Sequence, residues 1–116
     1  MKQQYLMKKI EVILRTSRLS TVKQALDDLG INFITFSDIK AFGKVKEKRY
    51  RGQVYDDDVV HRTKMEVVVP DDMLDLALSC IMSNAHTGRV GDGKVSVYPV
   101  EEIYRIRNGQ KNLLAL

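Results

Sequence analysis

The chain is poor in the features that mark export, membrane insertion and metal chemistry. It has one cysteine, Cys80, which excludes an internal disulfide and fits a reducing cytoplasm. No apolar run approaches the roughly 18 residues of a bilayer span, so direct membrane insertion is not expected. Residues 1–6 lack an apolar signal core, and a cytoplasmic location is expected; Met7 is an alternative start. His61, His86 and Cys80 have no ligand-like spacing. The adjacent acids Asp56, Asp57 and Asp58 read as solvated loop carboxylates, so no metal site is expected. No nucleophile has an adjacent base and no paired acids flank a pocket, so catalytic residues, and with them enzyme activity, are not expected. The net charge is only +4, and the few aromatics are not interleaved with the one basic stretch, residues 40–51. That falls short of a nucleic-acid-binding face and suits small anions or acidic partners.

The 116 residues, 44% hydrophobic and 29% charged, make one ordinary globular domain, 1–116. Residues 8–15 alternate, with Ile10, Val12 and Leu14 on one face, and read as a strand. Ser20 is placed to cap a helix over 21–29, striped by Val22, Ala25, Leu26 and Leu29 and ended by Gly30. Residues 33–39 read as a second strand. From 41 to about 58 the pattern dissolves into charges, and loops this long are usually functional. Alternation returns at Val59 and is clear over 64–69, with Met65, Val67 and Val69 on one face. Pro70-Asp71-Asp72 opens a second helix with acids in its first turn, striped by Leu74, Leu78, Ile81 and Met82. Residues 95–100 form a fourth strand with Val95 and Val97 facing the core. Residues 101–107 read as a short turn, with a last strand as the alternative. The order βαββαβ is the ferredoxin-like α+β arrangement, an antiparallel sheet with both helices on one face. Its other face would mix Ile13, Phe36, Val68 and Tyr98 with Glu11, Lys64 and Glu66, a composition suited to an oligomer interface.

Between the second helix and the fourth strand lies Thr87-Gly88-Arg89-Val90-Gly91-Asp92-Gly93-Lys94, with three glycines in six residues. Gly88 to Lys94 fits the phosphate-loop pattern G-x-x-x-x-G-K. However, Val95 stands where that loop needs Ser or Thr, and the order here is helix to strand. A phosphate cradle of another design and a mobile glycine turn both remain open. Lys94, Arg105 and Arg107 bring three cations near this backbone, the two arginines pointing the same way if their segment is extended. Such a group suits a triphosphate; solvation, or pairing with Glu101 and Glu102, is the alternative. Tyr50-Arg51-Gly52 and Tyr55 sit at the tip of the long loop, suited to modification or partner insertion. Cys80 reads as a buried structural thiol.

These motifs together resemble the PII signal-transduction proteins over about residues 7–107. The matching pieces are Met7-Lys8-Lys9-Ile10, Phe42-Gly43, Tyr50-Arg51-Gly52, Tyr55, Glu66, Thr87-Gly88, Gly91-Asp92-Gly93-Lys94 and Arg105-Ile106-Arg107-Asn108-Gly109. The resemblance implies a ferredoxin-like homotrimer with ATP and ADP competing for clefts between subunits. It also implies a B-loop at 87–94, a T-loop at about 42–58 that docks on targets, and a tail at 108–116. By position, Gly91, Asp92, Gly93 and Lys94 would cradle phosphates and Arg105 and Arg107 would pair with them. Ile13 and Val68 would line the base pocket beside Glu66, with Gly43 and Lys44 at the T-loop base. Tyr55 aligns with a tyrosine that some members have uridylylated, and Arg51 with an arginine that plugs ammonium channels.

The chain also departs from the family. Val45 replaces a glutamine that ligates magnesium and helps hold 2-oxoglutarate, which an isopropyl group cannot do. Arg62 replaces a lysine that contacts the same ligand, Ala41 a glycine, Thr16-Ser17 a Pro-Phe pair, and Val54 an acid. The expectation is a divergent PII-like regulator of a transporter or nitrogen-metabolism enzyme that binds 2-oxoglutarate and its magnesium poorly. The alternatives are a paralogue serving metal or inorganic-carbon transport with another effector, and a weak ATPase. The target, the effector, the modification of Tyr55 and the ATP/ADP preference are not legible in the sequence.

Overall fold

The computed structural model describes residues 6–31, 33–42, 48–50, 53–55 and 59–116; Gly43, Lys44, Val45, Arg51 and the acids at 56–58 lie outside these. Strand β1, Met7–Leu14, alternates as its sequence requires, and Ile10, Val12 and Leu14 are buried. Helix α1, Leu19–Asp28, follows after a 3-10 turn at Thr16–Arg18. Strand β2 is Thr35–Phe42, β3 Lys48–Tyr50, β4 Gln53–Tyr55 and β5 Val59–Pro70. A second 3-10 turn, Asp71–Met73, leads into α2, Leu74–Ala85, and β6 is Gly93–Val100. The main sheet runs β2-β5-β1-β6, with every pairing antiparallel. This is the ferredoxin-like order that the sequence pattern predicts.

The core lies between one sheet face and the two helices. β1 and β5 contribute Ile10, Val12, Leu14, Met65, Val67 and Val69, while α1 gives Val22 and Leu26 and α2 gives Ala77 and Ile81. Each large apolar side chain buried here contributes about 1.5–3 kcal/mol. Thr63 is the buried polar residue of this core among the described residues, and its hydroxyl is 2.9 Å from that of Thr16. That bond satisfies both hydroxyls and fastens the turn after β1 to β5.

Several local expectations are corrected. Ser20 does not cap α1; Arg18 holds the N-cap position without a side-chain bond, because the preceding 3-10 turn already engages the Leu19 amide with the Thr16 carbonyl. Gly30 does end α1: its amide bonds the Asp27 carbonyl and that of Ile31 bonds the Leu26 carbonyl, with Gly30 at φ +83°. Met82 is 59% exposed, so the stripe of α2 runs through Leu74, Ala77, Leu78 and Ile81 instead. Val97 faces the core side opposite Ile10, yet it is 41% exposed because β6 is the sheet edge. The stretch 41–58 is not structureless, since β2 continues to Phe42 and β3 pairs with β4 as a separate hairpin. Strands of three residues are too short to show a period against so many charges.

Phe36 is also corrected. It pairs opposite the buried Met65, which places it on the helix side, where Lys23 of α1 sits 4.9 Å from its ring centroid. The open face therefore carries Lys9, Glu11, Ile13, Lys64, Glu66, Val68 and Tyr98. Lys64 lies 3.1 Å from Glu11 and 3.3 Å from Glu66, the Tyr98 hydroxyl donates to Glu11 at 3.0 Å, and Lys9 stands 5.3 Å over the Tyr98 ring. Lys64 and Tyr98 hold the Glu11 carboxyl below its usual range, and the two glutamates raise the Lys64 ammonium above its own. Exposed pairs of this kind add little to monomer stability; they order the face.

Replacing the buried Leu26 by alanine should lower unfolding free energy by about 2–5 kcal/mol. Met82→Ala should stay within about 0.5 kcal/mol. Urea denaturation of the pair checks the rotation of both helices, and equal losses would contradict it.

Candidate functional site

The glycine loop leaves α2 through an extended His86 and is built around one carboxylate. Asp92 Oδ2 accepts the amides of Thr87 at 2.8 Å and Gly88 at 2.9 Å. Its Oδ1 accepts the Thr87 hydroxyl and, at 3.0 Å, Nε of Arg15. These donors, the Thr87 hydroxyl and amide foremost, hold the Asp92 carboxyl far below the usual carboxylate range. The backbone follows the side chain: Gly91 takes φ +95° and Gly93 φ +113°. At Gly93 a Cβ would stand 1.7 Å from the Ile13 carbonyl oxygen, so only glycine lets β6 begin against β1 here.

Two arginines clamp the loop, one just past the end of β1 and one on β5. Arg15 also donates from Nη2 to the Val90 carbonyl at 2.9 Å. Arg62 donates to the Gly91 carbonyl from Nε at 3.2 Å and Nη2 at 3.0 Å, and from Nη1 to the His61 carbonyl at 2.8 Å. Burial, and next the neighbouring Arg15, lower the Arg62 pKa; a guanidinium stays charged regardless. Neither arginine was among the expected loop residues. Arg15 ends the expected strand 8–15 on the parity of Ile13 and Glu11, which does not by itself disclose that it reaches the loop.

The expected site residues fall into two groups. Gly91, Asp92, Gly93 and Lys94 lie at the loop, and Ile13 pairs opposite both Lys94 and Lys64. Glu66, Val68 and Arg105 line a cleft of about 910 Å³ further along, walled by Phe33, Ile103 and Leu116 among others. Val68 stands opposite Lys9, four residues along β1 from Ile13, which is about 13 Å at strand rise. One chain therefore does not bring Ile13 and Val68 around a common base. Tyr50 and Tyr55 lie on β3 and β4, and Gly43, Lys44 and Arg51 lie outside the described residues.

The arginine pair is corrected. The segment after β6 is not a strand; it turns at 106–108, with the Gly109 amide bonded to the Arg105 carbonyl and an isolated bridge from Tyr104 to Lys111. Arg105 and Arg107 therefore do not share a direction as they would on extended chain. Arg107 is exposed at the turn, while Arg105 bonds Gln110 and the Leu116 carbonyl. Glu102 accepts from Tyr104 rather than from either arginine. Cys80 is only partly buried, packed at the edge of the core, and burial raises its pKa. No three metal-ligating side chains cluster among the described residues, and no helix among them is long and apolar enough to cross a membrane.

The architecture defines a ferredoxin-like α+β protein with a glycine loop at one sheet end and a cleft towards the other. The family model described as nitrogen regulatory protein P-II matches residues 7–110. A nitrogen regulatory protein P-II of Azospirillum brasilense is 47% identical over 107 residues, 90% of this chain and 96% of the relative. The nitrogen regulatory protein P-II 1 of Escherichia coli K12 is 39% identical over 112 residues, 95% of this chain and all of its own length. Among solved structures, Arabidopsis thaliana PII bound to citrate superimposes with TM-score 0.81 at 33% identity, covering 97% of this chain and 94% of that one. A B. subtilis GlnK–ATP complex gives TM-score 0.79 at 29% identity, covering 96% and 98%. The chain belongs to the PII family, the nitrogen regulatory signal-transduction proteins.

Gly93→Ala should cost at least about 2 kcal/mol, because backbone must move as well as adopt strained φ; thermal unfolding measures it. For Asp92 the sign follows from its lowered pKa. Its contribution is complete above the unfolded carboxyl value near ~4 and is lost as pH falls from there towards the folded value. Hydrogen exchange of the Thr87 and Gly88 amides should stay constant from neutral pH to about pH 5 and accelerate, relative to an unstructured reference, only below about pH 4. In Asp92→Asn the protection should be weak already at neutral pH and should not show that acid step.

Proposed function

We propose that this PII-family chain binds ATP and ADP in clefts between copies of itself and reports their occupancy to a target protein through the excursion at 42–58. The observation that carries the reading is the division of the site. The loop group, with Ile13, Gly91, Asp92, Gly93 and Lys94, and the cleft group, with Glu66, Val68 and Arg105, lie towards opposite ends of the sheet, so that Ile13 and Val68 do not meet around one base. A second copy that set its cleft against the first copy's loop would complete a base pocket and a phosphate cradle together. A homotrimer closes that arrangement by using the open face three times, burying the Lys64–Glu11–Tyr98 network. The neighbouring B. subtilis GlnK is named as an ATP complex, which supports the ligand class. Arg107, exposed at its turn, is available to a phosphate from a neighbouring copy, and Gly43 and Lys44 would lie at the root of the excursion. Tyr50, Arg51 and Tyr55 would meet the target, a membrane transporter or a nitrogen-metabolism enzyme. The protein acts here as a regulator, and the chemistry of the site is binding; nucleotide moves the excursion only through different affinities for its conformers.

The donors of Arg62 are engaged by the Gly91 and His61 carbonyls. Together with Val45, that favours an effector other than 2-oxoglutarate.

Lys94→Ala and Arg107→Ala should each weaken ATP and ADP binding by about tenfold or more, the loss expected when a charge-assisted phosphate contact is removed. Titration calorimetry decides it, and unaltered affinity in both variants would remove these residues from the site. In the same instrument 2-oxoglutarate should bind weakly even with ATP and magnesium present; tight, ATP-dependent binding would reverse the reading of Val45 and Arg62.

A further inference from the structure

The residues after the 106–108 turn fold back onto the segment that precedes it. The Arg105 amide donates to the Gln110 carbonyl at 2.7 Å, and the Asn112 amide to the Ile103 carbonyl at 2.8 Å. The Asn112 side-chain oxygen accepts the Ile103 amide at 3.3 Å, with Asn112 itself held at φ +57°. A 3-10 turn, Asn112–Ala115, then carries Ala115 and Leu116 to the wall of the 910 Å³ cleft. The Arg105 side chain, on the same wall, donates from Nη1 to the Gln110 amide oxygen at 3.2 Å and from Nη2 to the Leu116 carbonyl at 3.3 Å. Nη1 and Nη2 are the outward fork of a guanidinium, the pair that meets two phosphate oxygens end-on.

We infer that residues 110–116 form a strap that competes with nucleotide for Arg105 and for the adjoining cleft wall, and that nucleotide binding releases it. This rests on the nucleotide reading above and adds regulation to that site. The competition is unequal by construction. The strap offers Arg105 one amide oxygen and one main-chain oxygen, at 3.2 and 3.3 Å, whereas a polyphosphate offers several charged oxygens to the same fork. The strap also contributes nothing to the buried core, whose members all lie between residues 10 and 81. It can therefore leave without unfolding the domain. A bound strap lowers apparent affinity by the fraction of time that it is docked.

The test compares the full chain with a chain ending at Gly109 and with the full-length double variant Gln110→Ala/Asn112→Ala, titrated with ATP. Both altered chains should bind ATP about 3- to 10-fold more tightly, the range for a strap docked between two thirds and nine tenths of the time. In the full chain, ATP should also speed hydrogen exchange at the Arg105 and Asn112 amides. Equal or weaker ATP binding in the altered chains, or greater protection of those two amides on ATP binding, overturns the strap while leaving the nucleotide site standing. No ATP binding by any of the three chains overturns the nucleotide reading, and the strap's role with it.

Discussion

The site depends on the two-sided pairing of β1. Met7–Leu14 is hydrogen-bonded to β5 on one edge and β6 on the other. Its alternate residues Ile10, Val12 and Leu14 supply the centre of the core, so its register fixes both partners at once. A slip of one residue would turn that apolar set onto the open face. Fixing the register places Ile13 opposite Lys94 and Lys64, and brings the Ile13 carbonyl against Gly93 so closely that no side chain fits between them. Arg15, one residue past the strand, then reaches Asp92 and Val90. The loop's shape is therefore dictated from the middle of the sheet.

Much of this was legible in the sequence because it was periodic. The alternation of Ile10, Val12 and Leu14, the run Met65, Val67 and Val69, and the Gly30 stop mark the two central strands and the end of α1, and the βαββαβ order follows. What was not legible depends on context that periodicity does not carry. Phe36 has the composition of an interface residue, but its side of the sheet is set by pairing with Met65, a long-range register. Met82 is apolar and at helical spacing from Leu78, yet the helix axis turns it outward. Ser20 looks like a cap, but a 3-10 turn precedes the helix and makes the cap redundant.

The candidate site shows the same division. Glycines and Lys94 could be read from a local motif, since close approach and φ above zero leave a mark on composition. The residues that shape the loop could not, because Arg15 and Arg62 reach it from 77 and 29 positions away in the chain. A cation on a strand end has no local signature. Nor does any spacing disclose that Ile13 and Val68, both on the open face, lie four β1 positions apart.

Arg62 shows how a residue on a central strand shapes the glycine loop. A lysine at that position would present a mobile point charge with no preferred acceptor plane. The guanidinium instead forks onto one carbonyl, that of Gly91, and spends its third nitrogen on His61. Because a trans peptide points its C=O and N–H in opposite directions, holding the Gly91 carbonyl also sets the direction of the Asp92 amide. Arg62 thus positions the backbone of the glycine loop. It links the glycine loop to the start of β5, the strand that follows the excursion at 42–58.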